Sequence, residues 1–159
     1  MRNVQFVGSC RVKKFRLIVL IAVAALIGLP AARAELSWLT DYQQAQQQAK
    51  ANKKLLLLDF TGSDWCGWCI RLRREVFSQP EFKEYADKNL VLMEVDFPRA
   101  KEQSKDVRLQ NQNLAMQYSI EGFPTIIVLN GEGKKVGELG YMPGGAAAFI
   151  SELEKFRKS

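Results

Sequence analysis

Apolar and polar positions change rhythm several times along this chain. Thr40-Asp41-Tyr42-Gln43 offers a capping box, threonine answered by glutamine three positions on, and opens a Gln/Ala-rich stretch to about Asn52. That composition predicts a helix, either with its tyrosine and alanines inward or as a polar, solvated rod. Leu55 to Phe60, L-L-L-L-D-F, is a short apolar run between polar flanks and predicts a strand buried on both faces. Beyond it, Ile70, Leu72, Val76 and Phe77 fit one helical face, with Arg71, Arg73, Arg74 and Glu75 toward water. Ser78 with Glu81 predicts the cap of a second short helix reaching about Lys88. Leu90 to Asp96 and Thr125 to Leu129 are two further strands. Between them, Pro98 to Asn113 is a polar, charge-mixed segment that holds a loop and the start of a helix ending near Tyr118. Asn130-Gly131-Glu132-Gly133 supplies turn chemistry before a return strand, Lys134 to Leu139, and a last helix spans Ala146 to Arg157. Helices alternating with strands and closed by a hairpin and a helix predict an α/β sandwich.

The first residues follow a different pattern. Arg11, Lys13, Lys14 and Arg16 precede an apolar run from Leu17 to Leu29, then Pro30 and the small residues Ala32 and Ala34. This is the layout of a secretory signal peptide, and a run of thirteen is short of the roughly 20 residues that cross a bilayer. The expected product of cleavage after Ala34 is a domain of residues 35–159 in the periplasm or outside the cell; the alternative is an uncleaved anchor through residues 17–29. Six of the 23 basic residues and none of the 17 acidic ones lie in residues 1–34, which leaves the domain with 17 of each. The basic isoelectric point of the full chain therefore belongs to the export segment, and nucleic acid loses its main support as a partner.

Candidate chemistry centres on Ser63-Asp-Trp-Cys-Gly-Trp-Cys-Ile-Arg71, which holds two of the three cysteines. The chain has no histidine, which excludes Ser-His-Asp and Cys-His catalysis. Ile70 after the second cysteine excludes the C-x-x-C-H haem signature. A structural zinc site needs four ligands and two cysteines supply half, so no metal and no cofactor are expected. At the first turn of a helix, Cys66 meets the positive end of the helix dipole and unpaired amides, both of which favour the thiolate. Cys66 is the expected exposed attacking thiol, and Cys69 the more buried thiol that resolves a mixed disulfide. A static bridge is the alternative, and one closing so short a loop constrains little chain entropy. Asp59 has two readings. It is a buried carboxyl with a raised pKa that relays the Cys69 proton, or a solvated residue at the strand end. Pro124, in G-F-P-T, opens the third strand. Trp65 and Trp68 flank the reactive sulfur and either form a docking rim or, for Trp65, pack on the domain.

The segments D-F-T-G-S-D-W-C-G-W-C and G-F-P-T, with the closing hairpin and helix, resemble the thioredoxin superfamily. The run E-V-F-S-Q-P-E-F is similar to the C-terminal domain of the thiol:disulfide interchange protein. The resemblance implies a thioredoxin-like three-layer sandwich with a mixed central sheet, Cys66 as nucleophile, Cys69 as resolving thiol, and Pro124 as a cis-proline that turns Phe123 toward an extended peptide. Two features depart from the pattern. Asp59 stands seven residues before Cys66 where the family places its aspartate six before, and the cysteines enclose Gly67-Trp68. The absence of histidine from that dipeptide leans toward a reductant or isomerase. The expected activity is exported thiol:disulfide oxidoreduction by a monomer. Cysteine-containing secreted proteins are its expected substrates and a membrane electron donor its expected partner. The competing reading is a client-binding module in which the cysteines are incidental.

Overall fold

The computed structural model describes residues 36–158; the expected export segment lies outside the described residues. Among the described residues no helix is long and apolar enough to cross a membrane. In chain order the elements are β1 (Trp38–Leu39), α1 (Tyr42–Asn52), β2 (Leu55–Thr61), α2 (Gly67–Leu72) running into a π-helical turn (Arg73–Phe77), α3 (Pro80–Asn89), β3 (Leu90–Asp96), α4 (Lys105–Gln117), β4 (Thr125–Leu129), β5 (Lys135–Leu139) and α5 (Gly145–Lys158). The five strands lie in the order β1-β3-β2-β4-β5. β1, β3 and β2 are mutually parallel, β4 runs antiparallel to β2, and β5 runs antiparallel to β4. This is the mixed sheet of the expected three-layer sandwich.

Every residue of β2 is buried, because alternate residues feed two separate cores. Leu55 and Leu57 join Leu90, Leu92, Ile126 and Val128 beneath Leu72, Val76, Phe82 and Phe149 of α2, the π turn, α3 and α5. Leu56, Leu58 and Phe60 join Val91, Met93, Val95 and Ile127 against Ala45 and Ala49 of α1 and Leu114 of α4. The Gln/Ala helix therefore uses its alanines as the buried side.

Four details differ from the sequence-based expectation. Asp41 rather than Thr40 caps α1, its carboxylate accepting the Gln44 amide at 2.7 Å. Ser78 does not cap α3. Its own amide closes the π turn onto the Arg73 carbonyl at 2.8 Å, and α3 starts after Gln79 with Pro80 in its first turn. Ile70 is 49% exposed, because Cys69 and Leu72 take the inward positions of α2 and the wider π turn then brings Val76 and Phe77 in together. β1 has no forecast at all; its two residues become a strand through pairing with Leu92 and Met93.

Candidate active site

The link from β2 to α2 is built by short contacts. The amides of Trp65 and Cys66 both donate to the Gly62 carbonyl, at 3.2 and 2.8 Å, which turns the chain into the helix. Cys66 is the N-cap of α2, and its Sγ accepts the Cys69 amide at 3.2 Å, as a serine oxygen would. Cys66 and Cys69 are joined as a disulfide with their Cα atoms 5.3 Å apart. The expected contrast between an exposed and a buried sulfur is nearly absent: Cys66 is 7% exposed and Cys69 5%. In this oxidised state each sulfur covers the other, so Cys66 is distinguished by its place at the helix end and not by exposure.

Two residues further along β2 than Leu57, Asp59 points to the face covered by α2. It is 3% exposed, and its Oδ1 has no hydrogen-bond partner among the described residues. Of the two readings, burial is the one observed. Desolvation raises its pKa from 3.8 to about 7, opposed by the Arg73 guanidinium and aided by the charges of Glu94 and Asp96. Glu94 is its register neighbour on β3 and forms an ion pair with Arg73. Arg73 stands one helical turn beyond Cys69, its amide bonded to the Cys69 carbonyl. Cys69, Arg73, Glu94 and Asp59 thus belong to one layer of the molecule, between α2 and the sheet.

The loop before Cys66 is fastened to the end of β3 and to the segment that follows it. Ser63 bonds both oxygens of Asp96, by its amide at 2.9 Å and its hydroxyl at 2.6 Å. Asp64 accepts three consecutive amides, Arg99 at 3.0 Å, Ala100 at 2.7 Å and Lys101 at 3.2 Å; these bonds hold its carboxyl below the usual range. Trp65 donates its indole N–H to the Phe97 carbonyl at 2.8 Å, meets Phe123 edge-on at 6.0 Å, and carries the Arg99 guanidinium 3.9 Å over its ring. It is 38% exposed, so it packs on the domain and still keeps part of its ring at the surface. Trp68 is 54% exposed and leans on Tyr141 at 4.9 Å, with Arg71 beside both rings. Glu75 fixes that group, accepting from Arg71 at 2.9 Å and from the Tyr141 hydroxyl at 2.8 Å. The Phe123–Pro124 bond is cis, as the resemblance implied, and Phe123 stacks on Phe97 at 5.2 Å.

Residues 42–157 match the thioredoxin-like domain family, and the chain belongs to it. It is 40% identical over 129 residues to the disulfide bond reductase DsbH of Chlamydia pneumoniae, covering 81% of this chain and 77% of that protein. The thioredoxin-related protein DsbJ of the same organism is 31% identical over 143 residues, 86% of this chain but 40% of its own length. A solved structure of a DsbH oxidoreductase superposes with a TM-score of 0.76 at 39% identity, covering 82% of this chain and 90% of that one. With the Cys66–Cys69 pair in that fold, the chain is a protein disulfide oxidoreductase.

Asp64, Arg73, Glu94, Arg99 and Tyr141 were not anticipated as parts of this neighbourhood. Arg73 alone had a readable signal, its spacing of one turn from Cys69.

Proposed function

We propose that the chain is an exported disulfide reductase that acts on secreted proteins through a mixed disulfide at Cys66. The observation that carries the reading is Cys66 at the N-cap, with the Cys69 amide aimed at its sulfur. In the reduced protein that amide and the helix end favour a thiolate. The thiolate attacks one sulfur of a substrate disulfide and the other substrate sulfur leaves as a thiolate. Cys69 passes its proton to the Asp59 carboxylate, attacks the Cys66 sulfur and releases the second substrate thiolate. The protein has then lost two electrons, the substrate has gained them, and Asp59 returns its proton to solvent or product. Asp59 has the burial and the proton affinity near neutrality that such a relay needs. Trp68, Phe123 and Pro124, with the edge of Trp65, form the surface against which an extended client lies.

The reductive direction is supported by the 40% identical relative, a disulfide bond reductase, and by the absence of histidine between the cysteines. Export rests on the layout of residues 1–34, and a reductant outside the cytoplasm requires re-reduction by a membrane electron donor. The test is the reduction potential of the pair together with two variants. A value near about −270 mV is expected, and one near about −120 mV would make the protein an oxidant. Cys66→Ser should lose exchange with a disulfide peptide, whereas Cys69→Ser should accumulate the mixed disulfide. Full exchange in Cys66→Ser would overturn Cys66 as the nucleophile, and a wild-type protein that exchanges no disulfide but still binds clients when both cysteines are replaced would be the binding module instead.

A further inference from the structure

The Trp65 side of the disulfide carries a feature that thiol chemistry does not use. Arg99 is exposed, yet both its ends are fixed. Its backbone amide is held by Asp64, which also binds the two amides that follow, and its guanidinium carbon sits 3.9 Å over the Trp65 ring. The indole is itself locked by the Phe97 carbonyl and the edge of Phe123. Trp65 adjoins Cys66 in the chain, so the cation is anchored on the residue next to the attacking cysteine. Its charge is unspent: among the described residues Arg99 forms no ion pair, and Glu102, three positions on, does not reach it. The nearest carboxylates on this side are otherwise engaged, Asp64 with backbone amides and Asp96 with Ser63. Lys101, the other cation of the loop, donates to the Ser63 hydroxyl. A stacked guanidinium keeps its planar fork of donors pointed outward and loses little side-chain freedom when a carboxylate binds.

From this arrangement we infer that Arg99 is a specificity residue that reads a carboxylate next to the reacting cysteine of the client, so that the favoured substrates are disulfides in acidic, extended segments. The inference rests on the oxidoreductase reading and adds the substrate class to it.

The test uses the reduced protein and three disulfide-linked peptides of equal length whose cysteines are flanked by glutamate, glutamine or lysine. The second-order rate constant for reduction is followed by tryptophan fluorescence. The glutamate peptide should react about three- to tenfold faster than the glutamine peptide, and the lysine peptide slower than both. The advantage should shrink between about 50 mM and about 500 mM salt, because the pair is at the surface. Arg99→Gln should bring the glutamate rate down to the glutamine rate. Arg99→Lys should restore only part of the preference, since it returns the charge without the fork. Lys101→Gln should keep the preference.

Equal rates for all three peptides, or a preference that survives in Arg99→Gln, would overturn the inference while leaving the oxidoreductase reading intact. So would an equal loss in Lys101→Gln, which would mean a diffuse positive field and no reader. If the wild-type protein reduces none of the peptides, the reading of the function falls and the inference falls with it.

Discussion

Asp59 lies between two carboxylates and one guanidinium, and its state follows from how those charges divide. Burial is the largest influence and raises its pKa to about 7; Arg73 pulls it down, Glu94 and Asp96 push it up. Arg73 and Glu94 pair with each other and act on this aspartate with opposite sign, so breaking the pair from its two sides should have opposite effects. Arg73→Gln removes the only cation in the group and leaves Glu94 unneutralised, so Asp59 should hold its proton to higher pH. Glu94→Gln removes a like charge and frees Arg73 to turn toward Asp59, so the proton should leave at lower pH. A carboxyl-labelled NMR titration of the oxidised protein reads this directly, with the pH profile of peptide reduction as a second measure. Shifts of the same sign in both variants would mean that the pair acts on packing rather than on the field at Asp59.

At the scale of elements, the loop between β2 and α2 depends on a close approach that only glycine permits. A Cβ on Gly62 would lie 2.4 Å from the Trp65 ring, and the Gly62 carbonyl takes the amides of Trp65 and Cys66. Gly62→Ala should therefore displace the indole from Phe123 and Arg99. We expect a stability loss of about 1–3 kcal/mol in denaturant unfolding, accompanied by a red-shifted tryptophan emission. An unchanged spectrum and stability would show that the ring can move aside without cost. The elements themselves were largely legible in the chain. The runs Leu90 to Asp96 and Thr125 to Leu129 coincide with β3 and β4, because strands buried in a mixed sheet read as unbroken apolar stretches between polar flanks. The pairing of Cys66 with Cys69 was legible for a similar reason, as a short contiguous motif, whereas the burial of Asp59 was left open and the cis bond before Pro124 came from the resemblance. What escaped were partners distant in sequence. Asp64 meets the amides of residues 99–101 some 35 positions away, and Tyr141 meets Glu75 across 66. No local pattern in Pro98 to Asn113 marks which of its charges closes back on the active-site loop. The adjacent caps Thr40 and Asp41 show the same limit at short range, since either satisfies the pattern and only the observed backbone selects one.

For the whole molecule, the same aspartate links folding to pH. In the unfolded chain its carboxyl returns to an ordinary pKa near 3.8, whereas in the folded protein it titrates at about 7. Below about pH 4 both states hold the proton, and the group contributes no pH dependence. Between about pH 4 and pH 7 the folded state keeps a proton that the unfolded state has released, so stability falls as pH rises. Above about pH 7 both states are ionised and the full cost of the buried charge is present, up to roughly 4 kcal/mol. For a domain whose stability is expected to be about 5–15 kcal/mol, that is a large share to spend on one side chain. Asp59→Asn removes the charge while keeping the shape. Urea unfolding of the oxidised variant should match wild type within about 1 kcal/mol at pH 4.5 and exceed it by about 2–4 kcal/mol at pH 8. If the variant is also the slower reductant at pH 8, the carboxylate is retained for its proton chemistry at the expense of the fold. Equal stabilities at the two pH values would place the carboxylate in contact with solvent, and the relay assigned to it would then fall.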